Sequence, residues 1–199
     1  MKIHDSSSLV GLPPTKGLVI EGKLVRLREK KISDAHDEYR WYADKELSEL
    51  DATSPLNMSF AVFLLDYSLE IRSSQFRRFP MAVETLDGKH IGSCTVYDID
   101  EKKGEAQIGI LIGEREYWEH GYGTDAMKTM TDFVFRTTTL NRLYLKTLDW
   151  NTRAQKSFAK VGFIPCGELQ RSPYHFKLME LTRERWESLQ SHAGEEKVL

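Results

Sequence analysis

Two glycines one residue apart, Gly121 and Gly123, stand where an apolar strand-like run gives way to a helix-like one. Glycine lets backbone amides approach a ligand with no side chain between them. The first turn of a helix adds amides that lack a carbonyl partner and the positive end of the helix dipole. Together they suit an anion, and a pyrophosphate above all, seated along Trp118-Glu119-His120-Gly121-Tyr122-Gly123-Thr124-Asp125-Ala126. A plain tight turn has the same pattern, so the elements around it decide between the two. A second polar position is Asn151, which can cap a following helix.

The elements that position these residues can be read from periodicity. Alternating residues predict a first strand over 19–28, and Ser33 or Asp34 can cap a helix carrying Ala35, Tyr39, Trp41 and Tyr42. Phe60, Phe63, Leu64 and Tyr67 predict a further helix over 59–73, the two flanking a cleft. Strands at 80–84 and 90–99, joined at Asp87-Gly88, continue into 106–112 as an antiparallel meander. The strand 106–112 is apolar on both faces and belongs in the middle of the sheet. After the glycines, Ala126, Met127, Met130, Phe133 and Val134 keep helical spacing, and 142–149 returns as a strand parallel to 106–112. Asn151 opens a helix that stops at Gly162. Strands 163–169 and 175–181 close the sheet, and Leu181 and Trp186 staple a last helix started by Thr182. The expectation is a single domain over 18–190, with a flexible arm at 1–17 and a flexible tail at 191–199.

Composition narrows the function. The 28 Lys and Arg nearly balance the 30 Asp and Glu, so no general field favours nucleic acid or an anionic membrane surface. There is no run of about 18 apolar residues and no basic-then-apolar leader, which makes a cytoplasmic, non-membrane protein the expectation. Cys94 and Cys166 read as two reduced, buried thiols, and no metal-ligand spacing is present.

Two separated motifs carry a likeness. They are Ile112-Gly113-Glu114-Arg115-Glu116-Tyr117-Trp118-Glu119-His120-Gly121-Tyr122-Gly123-Thr124-Asp125-Ala126 and Asn151-Thr152-Arg153-Ala154-Gln155-Lys156-Ser157-Phe158-Ala159-Lys160-Val161-Gly162-Phe163. In the order meander, central strand, glycine turn, helix, parallel strand, capped helix and closing hairpin, the chain over 19–188 resembles the GNAT superfamily of N-acetyltransferases. Within it, the chain is most similar to the branch of ribosomal-protein N-terminal and polyamine acetyltransferases. The resemblance implies an α+β, three-layer fold, with a mixed and mostly antiparallel sheet flanked by helices on both faces. It also implies acetyl-coenzyme A as co-substrate and direct attack of a primary amine on the thioester. The amine would be a protein N-terminus or a small molecule such as a polyamine or an aminoglycoside; no metal is involved, and a second copy of the chain is a candidate partner. The amides of His120, Gly121, Tyr122, Gly123 and Thr124 would hold the pyrophosphate, with Trp118 packed beneath. Ile110, Leu111 and Ile112 would pair with the pantetheine amides, and Asn151, Phe158 and Lys160 would line the same side.

The chain departs from that pattern where proton transfer is concerned. Gln107 stands where many relatives place a glutamate, and Phe158 where many place a tyrosine; neither side chain can move a proton at neutral pH. Glu105, on the face of Gln107 by period two, is the candidate base, and Tyr97 and Tyr174 are candidate proton donors. Asp34, Glu38, Glu46, Glu49 and Asp51 make the first helices acidic, a hint toward a polyamine. Gly121 to Ala126 also satisfies the dinucleotide fingerprint GxGxxA, but a meander precedes it where a strand-helix series would be needed. A second reading from another class is a non-catalytic acyl-coenzyme A sensor or interaction module, motivated by the residues at 107 and 158.

Overall fold

The expected first strand is two. In the computed structural model, which describes residues 11–72 and 77–195, β1 (Val19–Glu21) and β2 (Val25–Arg28) pair antiparallel. The Gly22 amide turns back to the Val25 carbonyl at 2.8 Å and breaks the run. Within the segment 1–17, Leu12 packs on the main core; residues 1–10 lie outside the described residues.

Alternation along β2 sends Val25 and Leu27 into the main core and Arg28 to the opposite face. There Arg28 meets Asp34 at the end of a short 3-10 turn, Ile32–Asp34, that leads into α1 (Ala35–Ala43). Asp34 therefore does not cap α1 with its side chain as expected, because its carboxylate is engaged by Arg28 and by the Lys31 amide at 2.7 Å. The chain then breaks at Asp44, whose carboxylate accepts from the Leu47 amide at 3.0 Å and caps an additional helix, α2 (Lys45–Leu50). Next comes α3 (Phe60–Arg72), which packs on α1 through Ala35, Phe63 and Tyr67 in a cluster of its own; residue 73 of the expected helix is outside the described residues.

Strands β3 (Arg78–Thr85), β4 (His90–Asp100) and β5 (Glu105–Ile112) form the expected meander, with the Gly88 amide closing the first turn onto the Thr85 carbonyl at 3.0 Å. Next come α4 (Tyr122–Thr137), β6 (Arg142–Leu148), α5 (Thr152–Val161), β7 (Ile164–Arg171), β8 (Tyr174–Thr182) and α6 (Arg183–Glu195). The last helix runs past residue 190; Thr182 Oγ1 accepts from the Arg185 amide at 3.3 Å at its start, and Leu181 and Trp186 are both buried there. Among the described residues, eight strands lie in the order β1-β2-β3-β4-β5-β6-β8-β7, and six helices flank the sheet. The main core lies under α4, where Met127, Met130 and Val134 are fully buried against the sheet, each such side chain contributing about 1.5–3 kcal/mol.

Two features of this scaffold set the site. The pair β5–β6 is parallel, and its ladder covers only Glu105–Gln107 against Arg142–Tyr144; beyond Gln107 the strands part. At the far end of β5, a Cβ on Gly113 would lie 2.1 Å from the Trp41 ring. Glycine at that position lets the indole lie flat on the backbone, and Trp41 Nε1 donates to Glu114 at 3.0 Å. This contact fastens α1, and α2 after it, over the end of β5.

Candidate active site

The first turn of α4 is built to leave amides free. Gly121 is the N-cap residue at φ 88°, a left-handed conformation that β-branched residues resist, and it has no side chain with which to cap the helix. The first helical amide to find a carbonyl is that of Asp125, which donates to Gly121 at 2.9 Å. The amides before it point outward, and the helix dipole adds positive potential there. Asp125 does not cancel it from the cleft side. Its carboxylate is turned toward the β1–β2 hairpin, accepting from Leu24 at 2.7 Å and Val25 at 3.1 Å.

The opposite wall is α5. Asn151 caps it, its side-chain oxygen accepting from the Ala154 amide at 3.1 Å, and the residue also lines the cleft. Thr124 and Ser157 hydroxyls meet at 2.8 Å and tie α4 to α5. Arg153, Lys156 and Lys160 share the cleft-facing side of α5 and give the wall positive charge. The Arg153 guanidinium lies 3.6 Å from the centre of the Trp118 ring. Burial lowers its pKa, opposed by Glu119 and Glu46, yet a guanidinium stays charged throughout the working pH range.

Together these walls enclose a cleft of about 400 Å³. It runs from the glycine turn to the point where β5 leaves β6, and there adjoins a smaller cavity of about 110 Å³ lined by Tyr97, Gly109, Lys146, Thr147 and Phe176. Leu50, Asp51, Ile110, Asn151, Ala154 and Phe158 line both. Burial pushes the Tyr97 phenol up to about 12, so it stays protonated at neutral pH. Its oxygen accepts from Gln107 Nε2 at 2.5 Å.

Of the residues expected around a cofactor, Ile110, Leu111, Ile112, Trp118, Gly121, Gly123, Thr124, Asn151, Phe158 and Lys160 line the cleft. His120 and Tyr122 do not: His120 is exposed, and Tyr122 packs edge-on against Tyr117 and the core. The Ile112 carbonyl accepts from Trp118 Nε1 at 2.7 Å, which occupies one of its lone pairs. The expectation for Glu105 needs correction. It sits where β5 is still paired with β6, with its carboxylate 2.8 Å from Arg142 Nη1 and 3.8 Å from Lys103 Nζ. It lines neither cavity, so its carboxylate is not presented to the cleft. Tyr174 packs on Phe176 rather than entering the small cavity.

The acidic first helices are also less acidic than their composition. Asp34 is paired with Arg28, Glu38 with Lys30 and Glu46 with Arg115. Cys166, expected buried, is an exposed free thiol because β7 is the edge strand; Cys94 is buried as expected. Beyond the expected residues, Arg153, Lys156 and Ser157 line the cleft, and their i, i+3 and i+4 spacing, which puts them on one helical face, is the signal in the sequence that marks them. Asp51 lines it too, with no signal beyond its place among the acidic residues of the first helices. Among the described residues no group of His, Cys, Asp and Glu is placed to hold a metal ion, and no helix is long and apolar enough to cross a membrane.

A family model, the acetyltransferase (GNAT) domain, matches residues 25–164. The uncharacterized N-acetyltransferase p20 of Bacillus licheniformis is 29% identical over 148 residues, covering 69% of this chain and 80% of its own. Spermidine N(1)-acetyltransferase of Escherichia coli (strain K12) is 32% identical over 103 residues, covering 52% of this chain and 53% of its own. Among solved structures, spermidine N-acetyltransferase from Vibrio cholerae in complex with CoA and spermine superposes with a TM-score of 0.72 at 18% identity, over 82% of this chain and 98% of that one.

Proposed function

The chain belongs to the GNAT acetyltransferases, and on that premise we propose that it moves an acetyl group from acetyl-coenzyme A to a primary amine by direct attack on the thioester. The observation that carries this reading is one continuous cleft, uncapped helix amides at one end and a parted pair of strands at the other.

The residues present fit such a carrier. At the glycine turn, the amides between Gly121 and Asp125 hold the diphosphate, and Arg153, Lys156 and Lys160 add charge along the wall. Beyond Gln107 the free edge of β5 offers the backbone groups of Ile110 to the amides of the pantetheine arm, as an added strand would, whereas the Leu111 carbonyl is turned toward β4. The thioester supplies an activated acyl carbon and a thiolate leaving group. A backbone amide on that same edge stabilises the developing oxyanion, and the Tyr97 phenol, protonated and facing the small cavity, returns a proton to the departing sulfur. Glu105 has no part in this scheme.

The acceptor is a small amine such as a polyamine or an aminoglycoside, or a protein N-terminus. The match to a spermidine acetyltransferase supports a small amine. Calorimetry with coenzyme A and acetyl-coenzyme A should give binding heat. Thiol release screened over spermidine, aminoglycosides, amino acids and N-terminal peptides should then identify the acceptor. An absence of heat with both carriers would overturn the reading; heat with no acetylated product from any amine would turn it toward a sensor.

A further inference from the structure

At the junction of the two cavities one side chain stands out. Asp51 is the carboxylate that lines both. Its backbone is fixed: it closes α2 with its amide donating to Leu47 at 3.0 Å, Ala52 follows at φ 53°, and the Thr53 amide returns to Ser48 at 2.8 Å. The turn thus holds the carboxylate at the place where β5 and β6 separate, although nothing in the turn itself needs an acid. The charged and titratable groups that face it are Lys146 on β6, Tyr97 on β4 and Tyr42 on α1. Arg153, Lys156, Lys160 and Glu119 lie along the larger cleft.

We propose that the Asp51 carboxylate receives the ammonium of the acceptor and takes its proton before attack. The proposal rests on the acetyl-transfer reading above and names the group that reading lacks once Glu105 is set aside. The proton balance closes. An acceptor R–NH3+ gives one proton to the carboxylate, leaving a neutral amine and a carboxylic acid that later releases the proton to solvent. The nitrogen lone pair forms the C–N bond at the acyl carbon, the carbonyl opens to an oxyanion and re-forms, and the C–S bond breaks. The sulfur takes its proton from Tyr97, which regains one from the acetylated nitrogen. Asp51 is exposed by surface area at the junction of the cavities, yet the groups packed around its carboxylate desolvate it enough to raise it above the usual carboxylate range, with Lys146 opposing the shift, and a more basic carboxylate is the better acceptor for this task. The site accordingly selects a cationic primary amine rather than an alcohol or a thiol.

The test uses Asp51→Asn and Asp51→Glu in the full chain, with whichever amine the unmutated protein turns over. Asp51→Asn should keep its affinity for acetyl-coenzyme A and its thermal midpoint, while kcat/KM for the amine falls about 100-fold or more at neutral pH. The deficit should shrink as pH rises toward the pKa of the amine itself, where free amine no longer needs a base; Asp51→Glu should recover part of the rate. A merely structural role would give a deficit that does not change with pH and no recovery in the glutamate variant, and either result overturns the proposal. Normal acetyl-coenzyme A heat with undiminished turnover in Asp51→Asn overturns this proposal alone. No heat with the unmutated chain overturns the acetyl-transfer reading and this proposal with it. Should Asp51→Asn fail to fold, the rate and pH profile of Asp51→Glu decide, since a carboxylate on a longer arm must still show the acid limb.

Discussion

The molecule carries two concentrations of charge that are built in opposite ways. Between β2, β3 and α1, Arg28 donates to Asp34 at 2.7 and 2.9 Å and also to Glu84, and all of this is nearly sealed from solvent. Along the cleft, Arg153, Lys156 and Lys160 point into a cavity, and among the described residues none of them is held in an ion pair; Arg153 stacks on Trp118 instead. The first cluster brings its own counterions and its energy goes into the fold. The second is held in no ion pair among the described residues, with only Glu119 and Glu46 acting on Arg153 through space, and so keeps most of its field for a ligand. The comparison separates what maintains the scaffold from what the scaffold is for.

The sharpest way to break that contrast is Asp34→Ala. Removing one partner of a buried pair leaves Arg28 short of a counterion and costs about 3–5 kcal/mol, read from denaturant unfolding. The affinity of the folded protein for acetyl-coenzyme A should not move. The pH dependence has a definite sign. Burial pushes the Asp34 carboxyl up, but hydrogen bonds from Arg28 and the Lys31 amide outweigh it and hold the carboxyl below its usual range. Its contribution is therefore present above the unfolded-state pKa and is lost as pH falls through the lower folded value. The difference between the unmutated protein and Asp34→Ala should close in acid; a difference constant from neutral to acid pH would show that Asp34 stabilises by packing alone.

A smaller effect on energy, but a larger one on function, is expected from Gly121→Val. A β-branched residue at φ 88° costs about 1–3 kcal/mol of backbone strain, and its side chain crowds Leu24, whose Cδ1 would lie 3.4 Å from the new Cβ. Relief of that strain shifts the amides of the turn from their positions, so acetyl-coenzyme A affinity should fall about 100-fold while the far-UV spectrum is retained. Unchanged affinity would remove the glycine turn from the binding reading and leave the cationic wall as its remaining support.

How much of this was legible beforehand follows the same division. The glycine turn, the Asn151 cap and the parallel return of β6 are local or periodic, and each stands where the chain's pattern put it. The acceptor end was legible only in pieces: Tyr97 stands out as a candidate proton donor and Asp51 as one of several acids, but that they meet Lys146 follows only from the tertiary packing of the end of α2, β4 and β6. Period two placed Glu105 on the face of Gln107 correctly. It could not tell that Glu105 lies where the β5–β6 ladder is still closed and Arg142 waits opposite. The break between β1 and β2 was hidden for a similar reason: the Leu24 and Val25 amides that leave the strand are captured by Asp125, about a hundred residues away.

The finest test of the contrast lies within the cleft wall. Arg153→Met and Lys156→Met keep much of the apolar stem of each side chain while removing the charge. Because neither is held in an ion pair among the described residues, unfolding stability should change little, in contrast to Asp34→Ala. Affinity for acetyl-coenzyme A should drop several-fold in each, roughly tenfold at most, and the loss should fade as salt is raised, since the positions border solvent. Arg153 adds a signature that Lys156 lacks: its guanidinium lies on the Trp118 ring, so Arg153→Met should alter the tryptophan emission of the free protein and Lys156→Met should not. If either variant instead lowers the unfolding midpoint as Asp34→Ala does, the cleft charges belong to the scaffold after all, and the separation of the two clusters fails.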